Sequence, residues 1–320
     1  MTDGALLDAL DRFHGTGPEF GGFLANHGPM ASEALVRLGA ADRVGGWVSG
    51  YLPRLDAPPA AGGGVDDWRE RLGDERLLGD WTAYLRREAA ERSWRELLLR
   101  WWPRLLPGLA ASATHGVIRT AHAVRSLRVA GDPRLAGRLA AVPALAGLPR
   151  LDPGVPGDGP GLIGRMLAVR VLPDYPGRLD VWGAPAEPDA ALDELIGAAA
   201  RVLAARPDAP IAFCHAVTAP AAVRLVLPEL PAPLRTASVA ASWQSVGAIV
   251  AGFASPRMAA ESDPAGDLPP AGAELAARAL EHGDEHVIKL TEAALREHAR
   301  TGDPSLLVAA DRFRGRVDPL

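Results

Sequence analysis

Lys289 is the only lysine in a chain whose Lys and Arg residues total 34. Where arginine serves every other basic position, a lysine marks a place that could need an amine. A buried amine can lose its proton and act as nucleophile, Schiff base or carbamate, whereas a guanidinium stays charged. Lys289 follows His286 by three residues in Asp284-Glu285-His286-Val287-Ile288-Lys289-Leu290. In a helix the two side chains therefore share a face. The apolar neighbours Val287, Ile288 and Leu290 turn that segment towards an interior, where desolvation lowers a lysine pKa. A neutral amine takes up carbon dioxide to give a carbamate, an anionic oxygen ligand. The plain alternative is a surface lysine with no special role.

Of the eight histidines, His27, His115, His215 and His286 lie in apolar or Gly/Pro-flanked surroundings where a surface charge is not expected. Each alone reads as a hydrogen-bonded core residue. Together with the lone lysine they favour a metal ion, because burying several imidazoles is costly unless something binds them. No H-E-x-x-H signature is present, so spacing alone does not define the site. Four neutral imidazoles and one carbamate would leave one octahedral position open, as a catalytic rather than a structural site requires. His115, Arg119 and His122 fall at i, i+4 and i+7 and form one polar stripe. His122 could be a second ligand, an outer-shell partner or an acid–base group. Arg119 could stabilise a developing anion or pair with an Asp or Glu. His282 is cut off from His286 by Gly283, His298 reads as solvent-facing, and His14 has no assigned role.

The elements that must position these residues are helical. Apolar periodicity predicts helices over 3–14, 31–38, 66–91, 94–106, 111–129, 133–149, 160–172, 190–205, 210–217 continuing through 220–226, 236–253, 272–281 and 285–299. Gly283 suits a helix C-terminus and Asp284 the next N-cap. Loops are expected at 58–64, 152–159 and 255–270. No strand pattern or fixed-period repeat stands out. The expectation is a mainly α fold, with residues 1–320 as a single large helical domain and Pro/Gly-rich loops.

With 48% apolar and 23% charged residues the composition is globular. A net charge of -5 and a pI near 5.9 argue against a nucleic-acid surface. Cys214 is the single cysteine, which excludes an internal disulfide framework and a Cys-rich zinc site. Met1-Thr2-Asp3-Gly4 does not begin a signal peptide. No run reaches the roughly 20 apolar residues of a membrane span; Leu97-Leu98-Leu99-Arg100-Trp101-Trp102-Pro103 is interrupted by Arg and Pro. A cytoplasmic protein without nucleic-acid or membrane partners is expected. No G-x-G-x-x-G follows a strand, so no Rossmann site for NADPH is expected, and a requirement for NADPH stays open.

Four blocks in order, Asn26-His27-Gly28-Pro29-Met30, Thr114-His115-Gly116-Val117-Ile118-Arg119-Thr120-Ala121-His122, Phe213-Cys214-His215-Ala216-Val217-Thr218 and Asp284-Glu285-His286-Val287-Ile288-Lys289-Leu290, resemble blocks of the questin oxidase-like family. The resemblance extends over nearly the whole chain, about residues 10–300. It implies a mainly helical fold with Baeyer–Villiger-type oxidation or oxidative ring cleavage of anthraquinone-like polyketides. It further implies a non-haem Fe(II) held by four histidines and a carboxylated lysine, with dioxygen as co-substrate. Carried over by position, the ligands are His27, His115, His215 and His286, with Lys289 as the carbamate. In the fungal pattern the position of Arg119 tends to be histidine and that of His122 tyrosine, which puts substrate and outer-shell chemistry in question more than the ligands. Trp243 and Gln244 are candidates to line the pocket. Two rival readings stay open: a hydrolase or lyase using zinc as Lewis acid, and a non-catalytic helical binding protein with an unmodified Lys289.

Overall fold

The structure, a computed structural model, describes residues 2–22, 24–130, 187–253 and 271–320. The helices expected over 133–149 and 160–172 and the loops at 152–159 and 255–270 lie outside the described residues. The chain divides into two compact units, Met1–Arg150 and Leu151–Leu320, and the described residues of each are mainly helical.

In the first unit, α1 (Thr2–Phe13), α2 (Gly28–Arg37), α3 (Val44–Tyr51) and α7 (His115–Ala130) surround one core. Leu6, Leu10 and Phe13 of α1 fall at helical spacing and are buried with Met30, Leu35, Val48, Tyr51 and Ile118. Burying a side chain of this size stabilises by about 1.5–3 kcal/mol. A second cluster joins α4 (Trp68–Arg71), α5 (Leu78–Glu91) and α6 (Trp94–Leu105). There Trp101 meets Trp68, Trp81 and Tyr84 edge to face, at centroid separations of 5.5 to 5.9 Å. α6 starts with a capping box, Ser93 accepting from the Glu96 amide and the Glu96 carboxylate accepting from the Ser93 amide.

The helix expected over 66–91 is broken between Arg71 and Leu78, where Leu72 is extended and Gly73 takes a φ of 87° that suits glycine. Two further local departures from expectation have clear causes. Glu19–Phe20 (β1) and Leu24–Ala25 (β2) pair antiparallel around Gly21 and Gly22, whose φ values of 58° and 88° suit glycine. Two-residue strands are too short to show alternation. The helix expected over 111–129 begins at His115 instead. Ser112, Ala113 and Thr114 take φ values of 46°, 52° and 68°, a left-handed run that costs non-glycine residues about 1–2 kcal/mol each. Strain of this kind is found where a functional residue must be aimed, and the residue that follows is His115.

The second unit is a helical bundle of α8 (Pro188–Ala205), α9 (Pro210–Val226), α10 (Ala232–Phe253), α11 (Gly272–His282), α12 (Glu285–Thr301) and α13 (Ser305–Arg314). α9 packs on α8, α10 and α12, so it is the centre of the unit. The stretch Pro210–Glu229 is long and apolar enough to cross a membrane, but 83% of its most apolar window is buried in this core. Arg224, near the end of α9, bridges Asp189 (3.0 Å) and Asp193 (2.6 Å) of α8 and Glu297 (2.9 Å) of α12. Truncating it would remove one of the cations that offset Glu297, a buried acid whose pKa burial already raises and with which Arg296 also pairs. We expect Arg224→Ala to destabilise the protein by about 2 kcal/mol, the loss of charge-assisted hydrogen bonds with Arg296 still facing Glu297, measured by urea unfolding. α13 was not anticipated in the sequence, yet its apolar face, Leu306, Leu307, Ala310 and Phe313, is buried.

Candidate metal-binding residues in each unit

In the first unit His27 is the N-cap residue of α2 and His115 the first residue of α7. Their rings meet edge to face with centroids 4.6 Å apart. The Asn26-His27-Gly28 block is fixed by its neighbours. Buried Asn26 donates through Nδ2 to Thr16 Oγ1 (3.0 Å) and the Gly17 carbonyl (2.9 Å), and its Oδ1 accepts from the Gly28 amide (2.9 Å). The His27 amide donates to the Tyr51 hydroxyl at 3.0 Å. Gly28 leaves no room for a side chain, because a Cβ there would meet the Phe13 ring at 2.3 Å. Gly28→Ala is expected to cost about 1–3 kcal/mol through overpacking, read as a lowered urea midpoint.

His115 is half-buried and its Nδ1 lies against the Ser112 carbonyl. A carbonyl only accepts, so Nδ1 carries the proton and Nε2 is the lone-pair nitrogen available to a metal. The left-handed Ser112-Ala113-Thr114 run is what brings that carbonyl back onto the ring.

The polar stripe of α7 divides into three tasks. His122 does not point to the same partner as His115: its Nδ1 donates to Glu33 Oε2 at 2.8 Å. Glu33 lies on α2 and is 2% exposed. Arg125 grips the same carboxylate with both arms, Nε at 2.9 Å to Oε1 and Nη2 to Oε2, and Arg37 Nε adds a 2.7 Å contact. Burial by itself would raise the Glu33 carboxyl; the His122 hydrogen bond and the Arg125 guanidinium outweigh it and hold it far below the usual carboxylate range. Sequence reading missed Glu33. Its signal was a single charged residue in the run Met30-Ala31-Ser32-Glu33-Ala34-Leu35-Val36, where the only other polar side chain is Ser32.

Arg119, one turn after His115, pairs with no Asp or Glu among the described residues, and its buried Nε has no hydrogen-bond partner there. Desolvation pushes its guanidinium down to about 10. Of the two roles weighed for Arg119, a structural ion pair is therefore set aside for the described residues.

In the second unit His215 of α9 and His286 of α12 lie with ring centroids 5.5 Å apart. Gly283 ends α11 in the left-handed region at φ 78° and Asp284 caps α12, as the sequence predicts. Asp284 Oδ1 accepts from the His286 amide at 2.9 Å and the Val287 amide at 3.0 Å. Desolvation would raise the Asp284 carboxyl, but its contacts with His286 and with the two amides prevail and lower it. Asp284, Glu285 and His286 bring ligand atoms within 4.8 Å of one another.

Lys289 is 2% exposed, which rules out the surface-lysine alternative. Its Nζ has no hydrogen-bond partner among the described residues. Burial pushes the amine down to about 8, with Cys214, Glu285 and Asp284 opposing. Cys214 beside it is buried, and desolvation pushes its thiol up to about 12, so it stays protonated.

The remaining histidines serve structure or line another pocket. His282 Nε2 donates to the Val317 carbonyl at 3.1 Å. His298, expected to face solvent, is half-buried, and its Nδ1 donates to the Asp303 carbonyl at 2.9 Å. Trp243 is half-buried on α10 and Gln244 is exposed. Compared with known proteins, the chain matches no family model and no curated sequence.

Proposed function

We propose that the protein is a metal-dependent oxygenase, a non-haem Fe(II) enzyme acting on an aromatic, quinone-like substrate by Baeyer–Villiger-type oxidation or oxidative C–C ring cleavage. The observation that carries this reading is Lys289: the chain's one lysine, buried, with no hydrogen-bond partner among the described residues and a lowered pKa. Such an amine suits carboxylation. Four histidines that could hold a metal ion supply the rest of the donor set. In this reading His27, His115, His215 and His286 are the nitrogen ligands and carboxylated Lys289 the anionic oxygen ligand. A soft-to-borderline, nitrogen-rich set with one carboxylate-like oxygen fits ferrous iron.

When bound, ferrous iron supplies the one-electron chemistry that lets dioxygen react with an electron-rich aromatic. The chain's own residues do the rest. The Ser112 carbonyl holds His115 in the tautomer that presents Nε2. Asp284 fixes the start of α12 and with it the direction of His286. Glu33 holds His122 through Nδ1, leaving Nε2 as the ring atom that can take or give a proton. Arg119 offers a fixed positive charge to a substrate oxygen as negative charge develops there. The desolvated setting of Lys289 excludes water from the carbamate. We place the enzyme in the cytoplasm, without nucleic-acid or membrane partners, and leave any NADPH dependence to be read from turnover.

The test is oxygen consumption by iron-loaded protein offered hydroxylated anthraquinones and their hydroquinones, with and without NADPH. We expect uptake coupled to loss of the aromatic chromophore. Stoichiometric zinc in the isolated protein, with ester or lactone hydrolysis and no oxygen uptake, would replace this reading by the hydrolytic one.

A further inference from the structure

The first unit contains a pocket of about 290 Å³ that the proposed ligands do not occupy. Leu10, Phe13 and Pro29 give it apolar walls, Arg119 and Arg86 supply its charge, and His14 adds an imidazole. No Asp or Glu is among its lining residues. Asp80, the carboxylate on the neighbouring turn of α5, is committed elsewhere: its Oδ1 accepts from the Gly62, Gly63 and Gly64 amides at 2.9, 3.0 and 2.8 Å. Those bonds pin the Gly-rich loop whose earlier residues Pro58, Pro59 and Ala61 close one side of the pocket.

The pocket is thus positive without internal compensation. Arg119 at the half-buried end and Arg86 at the exposed end have no ion pair with any described residue. Desolvation, then the Arg86 guanidinium, push His14 below its ordinary value, so the cluster repels a further positive charge. An anion removes that repulsion. A guanidinium fork matches a carboxylate in two parallel hydrogen bonds, and the apolar walls match a flat ring. The volume is near the lower bound of about 300 Å³ for small-molecule sites, which suits one or two fused rings.

We propose that this pocket binds an aromatic carboxylate, with the carboxylate on Arg119 and the ring against Phe13 and Pro29. Arg86 guides the acid in from the mouth. Arg119 follows His115 by one helical turn, and Pro29 follows His27 by two residues, so the pocket wall and the first unit's imidazoles share α2 and α7. As a substrate subsite it rests on the oxygenase reading and narrows the substrate to an aromatic acid. As an anion site it stands on the pocket alone.

The experiment is calorimetric titration of the full chain, stripped of metal by chelator, with 2-naphthoate and with 2-naphthamide. Naphthoate is expected to bind about tenfold or more tighter than the amide. Arg119→Gln is expected to weaken naphthoate by about tenfold or more and leave the amide unchanged. Arg86→Gln, at the exposed mouth, is expected to weaken naphthoate less and keeps the test available if the Arg119 variant does not fold. Equal affinity for acid and amide, no naphthoate binding, or no loss in folded Arg119→Gln would overturn the proposal. Binding to metal-free protein is read separately from metal content, so failure of the oxygenase reading leaves a distinct signature.

Discussion

Lys289→Met is expected to make the metal-free protein more stable while abolishing tight iron binding. The ordinary lysine value of 10.5 falls to about 8 at this site, a shift that corresponds to about 3 kcal/mol against the charged form. Methionine has a similar unbranched shape and no charge to desolvate. Replacing a buried charged group by an apolar one of like volume is often stabilising by about 1–4 kcal/mol. We therefore expect the thermal midpoint of the apoprotein to rise by a few degrees, and iron affinity to fall by a factor of about 100 or more once the oxygen ligand is gone. Scanning calorimetry and iron titration read the two effects independently. A stability loss on Lys289→Met would mean that the amine has a favourable structural partner. Undiminished iron binding would remove Lys289 from the site. Opposite signs are what a functional, strained residue produces and what a structural lysine does not.

The largest stability loss is expected at Glu33. Removing this carboxylate leaves Arg125 at 8% and His122 at 7% exposure without their shared acceptor. Breaking a buried ion pair from one side costs about 3–5 kcal/mol, and we expect Glu33→Ala to fall in that range by chemical denaturation. The pH dependence has a definite sign. The folded carboxyl is held below its ordinary 4.5, so its stabilising contribution is complete above that value and is lost as the pH falls below it. Wild-type protein should lose stability on acidification through this range more steeply than Glu33→Gln. Equal slopes would show that Glu33 is not the acid-sensitive contact. If His122 is a positioned proton carrier, Glu33→Gln will also shift the pH profile of turnover more than it changes the KM.

The helices were legible because their chemistry is local. Leu6, Leu10 and Phe13 repeat at helical spacing, and Gly283-Asp284 marks the end of one helix and the start of the next. The histidine contexts were legible for a similar reason: an imidazole between apolar neighbours stands out in one dimension, and the uniqueness of Lys289 is a count. Other features depend on contacts across the chain. The left-handed Ser112-Ala113-Thr114 run has no glycine to announce it. The Glu33–His122 bond joins residues 89 apart, and nothing at either position names the other. His14 and Arg86 meet at one pocket only because α1 and α5 both border it. The stripe His115, Arg119, His122 was read correctly as one helix face, yet the three side chains serve three surroundings: a strained carbonyl, an open pocket and a buried acid.

The metal content of protein purified without chelator, compared with His27→Ala from the first unit and His286→Ala from the second, tests the central claim most directly. The account predicts about one equivalent of iron per chain in the wild type and near-complete loss in both variants, each shown folded by circular dichroism. Iron that persists when either histidine is removed would contradict a shared centre, and a wild type that neither carries iron nor takes it up on anaerobic reconstitution would contradict the oxygenase itself.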